Sequence, residues 1–112
     1  MVNTLEYLYN TIVTDVIFIH DYIQIGIDNG GMSVYNPVFY KFNDVCSEID
    51  KNFDISKLIG KSIIDSLFYE NEYLSFVLDD MSEIKISLLP DDYTGPEALD
   101  INLKNGMIIV IN

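Results

Sequence analysis

Two nine-residue stretches, DYIQIGIDN (Asp21 to Asn29) and EYLSFVLDD (Glu72 to Asp80), repeat one alternation 51 residues apart. Each opens on an acid and a tyrosine and closes on an acid or its amide. A pleated strand sends successive side chains to opposite faces. Ile23, Ile25 and Ile27 therefore share one face, and Tyr22, Gln24 and Gly26 share the other. Leu74, Phe76 and Leu78 repeat the apolar face in the second stretch. A small sheet with one apolar face cannot bury it alone. A second copy of the same sheet can cover it.

The match extends from Ile12 against Ile63 to Asn29 against Asp80, with Tyr22/Tyr73 and Asp28/Asp79 identical and Ile19/Glu70 breaking the pattern. In the first unit, TIVTDVIFIH is β-branched and aromatic, YIQIGID follows, and GMSVYN runs to Pro37. Asp28-Asn29-Gly30-Gly31 supplies the turn. In the second, SIIDSLFYE, YLSFVLD and EIKISLL alternate in the same way and stop at Pro90. The repeat, about 11–36 and 62–89, predicts two tandem three-stranded meanders. Leu99, Ile101 and Leu103, then Asn105-Gly106 and MIIVI, predict a C-terminal hairpin. Its last strand is apolar on both faces and is expected to be central or covered by a partner. Asn3 and Glu6 match a helix-start capping pattern, which predicts a short N-terminal helix with Leu5 and Leu8 inward. Between the units, Val45/Ile49 and Ile55/Ile59 are four apart and Gly60 suits a helix end, which predicts one or two short helical turns. The fold class is α+β, mostly antiparallel β, in a single domain over residues 1–112.

Charge bounds the function. Six lysines face eighteen Asp and Glu, a net charge of −12, and arginine is absent. Nucleic acid and anionic membranes are disfavoured as partners, because both need cations on the protein. A basic protein is favoured, because opposite fields speed encounter. Cys46 is the only cysteine, so the chain has no internal disulfide. MVNTLEYLYN lacks the basic and apolar segments of a secretory signal, and no apolar run approaches the roughly 18 residues of a membrane span. A reducing, cytoplasmic setting is expected.

No residue pattern announces catalysis. His20 is the only histidine, and nothing local joins it to Cys46 as base and nucleophile. Gly60-Lys61-Ser62 lacks the upstream glycine of a phosphate-binding loop. Asp79-Asp80-Glu83 and Asp91-Asp92 with Glu97 offer carboxylates to a hard cation but lack the spacing of a calcium loop. Neither a metal nor a cofactor is expected, and the chain reads as a non-enzyme. Tyrosine beside carboxylate on a solvated sheet face is the composition of a protein-binding surface. The expected surface combines Tyr22 and Tyr73 with Asp79, Asp80, Glu83, Asp91, Asp92 and Tyr93.

The tandem meanders, each with an apolar strand ending in an acidic turn, together with YTGPEALDINLKNGMIIV, resemble a group of small bacterial proteins. Members of that group tend to carry a tryptophan in the final strand, where this chain has IIVIN. Their character is similar to that of the small acidic immunity proteins of contact-dependent inhibition and related polymorphic toxin systems. The resemblance implies a protein that occludes one cognate toxin domain, commonly a basic nuclease, without catalytic groups or cofactor. The alternative is an acidic nucleic-acid mimic of the anti-restriction or anti-CRISPR type. A homodimer through the apolar last strand is a further expectation.

Overall fold

The computed structural model describes residues 2–112, with side chains from Leu5 onward. Three consecutive strands, β1 (Val13–Phe18), β2 (Ile23–Ile27) and β3 (Gly30–Val34), pair antiparallel in chain order. A hairpin follows, β4 (Val38–Phe42) and β5 (Val45–Glu48). Then β6 (Ile63–Tyr69), β7 (Tyr73–Leu78) and β8 (Glu83–Ser87) pair in order. A second hairpin, β9 (Leu99–Leu103) and β10 (Ile108–Ile111), ends the chain.

The hairpins change sides. β4 pairs with β8, and β9 pairs with β3. The result is two five-stranded antiparallel sheets, β1-β2-β3-β9-β10 and β5-β4-β8-β7-β6. Each sheet takes three strands from one half of the chain and two from the other. The inner faces meet in one core, where Ile25, Met32 and Ile101 of the first sheet join Leu74, Phe76 and Ile86 of the second, all at most 1% exposed. Complete burial of a side chain such as Phe76 contributes about 2–3 kcal/mol.

The halves match in detail beyond strand order. β1 and β6 each carry a register shift, between Val13/Asp15 and between Ile63/Asp65. Leu8 and Leu58 are fully buried, and each accepts an N–H from three residues on, Thr11 and Lys61, at 3.1 Å. Asn10 and Gly60 follow at positive φ, 70° and 83°. Ile12 and Ser62 form an antiparallel bridge where the two sheets meet. Around it Ile63 N donates to Thr11 O and Val13 N to Lys61 O, both at 2.9 Å. The spacing between halves is not constant. Asp15 corresponds to Asp65, Tyr22 to Tyr73, and Met32 to Ile84. Each turn in the second half is one residue longer. This shift replaces the Ile19/Glu70 mismatch with Ile19/Tyr69.

One expectation is corrected and two are narrowed. The segment read as helical turns forms β4 and β5; only the brief 3₁₀ helix Ile55–Lys57 is helical there. Asn43 and Asp44 adopt φ of 52° and 65°, which is the two-residue hairpin geometry that suits right-twisted strands. The N-terminal helix is a 3₁₀ helix, Val2–Leu8, with Leu5 and Leu8 fully buried; the Asn3 cap lies outside the described side chains. Of the two alternatives for the last strand, the central one falls: β10 is an edge strand, with Ile108 and Val110 outward at 65% and 42% exposure.

Candidate binding cleft

The turn after β1 is closed by two backbone bonds between Ile19 and Tyr22, which lift His20 and Asp21 clear of the sheet. Facing that turn is the crossover from β3 to β4, Tyr35 to Pro37. The stretch after β5 and the connector from β8 to β9 close the remaining sides. Together they bound an open cleft of about 860 Å³. Its carboxylates are Asp21, Glu48, Asp50, Asp91 and Asp92, and its one lysine is Lys51. His20 Nε2 lies 3.6 Å from Asp21 Oδ1, with both side chains almost fully exposed. Among the described residues the one lysine–carboxylate pair, Lys61 with Asp80, lies elsewhere.

The connector from β8 is held down by Asp92, whose Oδ2 accepts from the Ser87 hydroxyl. Asp91 stays exposed. Tyr22 and Tyr35 form one wall, with ring centroids 5.4 Å apart and planes at 48°. Tyr35 donates to Asp100 Oδ2 at 2.6 Å. That bond to a carboxylate, followed by desolvation, pushes the phenol up to about 12.

Asn36 lies in the crossover and lines the same cleft. It is 3% exposed. Its backbone N–H donates to Ala98 O at 3.2 Å and its Nδ2 to Ser87 O at 2.8 Å. The Nδ2 bond fixes the orientation of the amide, because a carbonyl accepts only from nitrogen here. Asn36 Oδ1 is buried without a partner among the described residues. Such an oxygen costs about 1–3 kcal/mol relative to a satisfied one.

The eight residues expected to form one face are divided. Tyr22, Asp91 and Asp92 line the cleft, and Tyr93 packs against the core beside them. Tyr73 stands near that end, paired across the sheet with Ser87. Its ring lies 4.9 Å from Tyr69 and beneath Lys85 Nζ at 3.9 Å. Asp79, Asp80 and Glu83 are at the other end of β7, about 17 Å away at a strand's rise per residue. Glu83 accepts from the Ser75 hydroxyl at 2.7 Å. Asp80 is bound into its own turn. It accepts from Lys61 Nζ at 2.9 Å, from Ser82 N at 3.0 Å and from the Ser82 hydroxyl. Burial works to raise the Asp80 carboxyl, but the bonds from Ser82 and Lys61 outweigh it and hold it below the ordinary range.

Glu48 and Asp50 were missed in sequence because they lie in the stretch where helical turns were expected, and Asn36 because it stood at the end of the expected third strand. Tyr35-Asn36-Pro37 did mark a break, since proline ends a strand. Cys46 is exposed on β5 and does not line the cleft. Among the described residues, no group of three or more His, Cys, Asp or Glu is placed to hold a metal ion. No family model, curated protein or solved structure matches the chain.

Proposed function

We propose that this chain is an immunity protein that binds and neutralises a basic toxin domain by occlusion. The observation that carries the reading is the cleft itself, where five carboxylates face one lysine on a chain of net charge −12. A field of one sign focused on a concave site accelerates capture of an oppositely charged partner. The reading needs no catalytic group and no cofactor, and it places the protein in the cytoplasm where such a toxin acts. Among the described residues no helix is long and apolar enough to cross a membrane. The reading also takes the matched halves as two copies of one unit of turn, meander and hairpin.

A growth rescue tests it. The C-terminal domain of the protein encoded immediately upstream is expressed with and without this chain. Toxicity relieved by co-expression, with a stable complex on purification, is the expected result. Toxicity without rescue removes the proposal. A nucleic-acid mimic would instead block several unrelated nucleic-acid enzymes. Mimicry calls for carboxylates spread along a ridge in the manner of phosphates, whereas five here gather round one cleft.

Self-association is the second partner reading. The open edge of β10 presents Ile108 and Val110, and unpaired edges invite a further strand. Two copies bring −12 each, so pairing strengthens as salt rises, opposite to capture of a basic partner. Sedimentation at several concentrations is expected to show a dimer for the native chain and a monomer for Val110→Lys. Identical behaviour of the two chains removes β10 as the contact.

A further inference from the structure

The two halves of the chain differ most at one place. The connection from β3 to β4 is residues 35–37, whereas its counterpart from β8 to β9 is residues 88–98. Ser87 N donates to Pro37 O, and Tyr35 N donates to Ala98 O, so the two connections start and finish at matching points. The extra residues are not needed to join the strands, since three suffice in the first half. They carry Asp91, Asp92 and Thr94 to the cleft.

The second departure is two residues after Val34 in the first half and two after its counterpart Ile86 in the second. The second half has Leu88 there, buried and apolar. The first half has Asn36, equally buried, with its Nδ2 occupied and its Oδ1 bonded to nothing. An apolar residue fits this step of the fold in one half, and the other half keeps a buried acceptor on a residue that lines the acidic cleft.

We infer that the cleft is the receptor for an arginine side chain projected by the protein partner. The inference deepens the partner-binding reading and rests on it. A guanidinium is planar, carries five N–H donors and sheds water more readily than an ammonium. One such group has donors enough for Asn36 Oδ1 and for carboxylates of the same cleft. The Tyr22–Tyr35 wall offers ring faces for it to stack on. An ammonium is compact and strongly hydrated and gains less from a neutral amide and an aromatic wall. The chain contains no arginine of its own to compete for the site.

The test uses the whole ¹⁵N-labelled protein and three blocked tripeptides, Gly-Arg-Gly, Gly-Lys-Gly and Gly-citrulline-Gly. The arginine peptide is expected to shift the Asn36 side-chain amide and the backbone amides of Tyr22, Asp50 and Asp91. It should bind at least fivefold tighter than the lysine peptide, with no response to citrulline. Asn36→Leu should weaken the arginine peptide at least fivefold without lowering the melting temperature. Asp91→Lys, at an exposed position, should do the same even where Asn36→Leu fails to fold. Equal shifts from the arginine and lysine peptides, or shifts spread over the whole acidic surface, overturn the receptor. So does an unchanged Asn36 amide, which would mean that water alone serves the buried oxygen. The growth rescue separates the two claims. Specific arginine binding without rescue leaves the cleft standing and removes the immunity reading. Full rescue by Asp91→Lys leaves the immunity reading and removes the cleft.

Discussion

Asp80 shows how an acid in a turn serves the fold instead of a partner. Its carboxylate gathers the Ser82 amide and hydroxyl and the Lys61 ammonium, and so ties the β7–β8 turn to the segment before β6. A partly exposed pair with these bonds contributes about 1 kcal/mol. Asp80→Ala is expected to lower stability by that amount at neutral pH, measured by urea denaturation. The pH dependence has a definite sign. The folded carboxyl lies below its unfolded value, so the contribution is complete above the unfolded value and disappears as pH falls through the folded one. Native chain and variant should therefore converge once the pH falls below the folded value. A difference that persists there would assign the loss to packing. Sequence alone placed Asp79, Asp80 and Asp91 together as turn acids. It could not show that Lys61, nineteen positions earlier, reaches Asp80 while Asp91 stays unpaired in an open cleft. That distinction depends on which strands become neighbours.

At the scale of elements, the hairpin exchange depends on close contact between β3 and β9. Gly30 stands opposite Leu103 at φ 149°, and a Cβ built there would lie 2.0 Å from Asn102 O. Gly30→Ala must therefore push a backbone carbonyl aside as well as adopt a strained conformation. A loss above about 2 kcal/mol is expected. Gly60→Ala, also at positive φ but in open space, should lose only about 1 kcal/mol. Equal losses would mean that conformation alone decides both, and that the β3–β9 contact can widen. The alternation of YIQIGID and YLSFVLD made these strands legible, because the two-residue period belongs to each strand alone. The β4–β5 hairpin was hidden. Val45 and Ile49 share a four-residue spacing with helices, and the turn signal at Asn43-Asp44 lacks a glycine. The exchange of hairpins leaves no local trace at all. β4 is free to pair with β3 or with β8 as far as its own residues say, and a three-residue connection suits a hairpin as readily as a crossover.

At the scale of the molecule, neither half owns a complete sheet. Residues 1–50 carry β1–β3 with their β9 edge open, and a β4–β5 hairpin deprived of β8. Expressed alone, this piece and residues 51–112 are each expected to be unfolded or aggregated. Mixed at equal concentration, they should recover the native circular dichroism spectrum and one cooperative melt. Independent folding of either piece would show that the shared core is dispensable. The same arrangement bears on synthesis. The first sheet is begun at Val13 and completed only by Ile111. During translation the nascent chain therefore carries an unfinished sheet with an exposed β3 edge until β9 has left the ribosome. Pairings so distant along the chain close slowly, and in the meantime the like charge of neighbouring nascent chains opposes their pairing edge to edge.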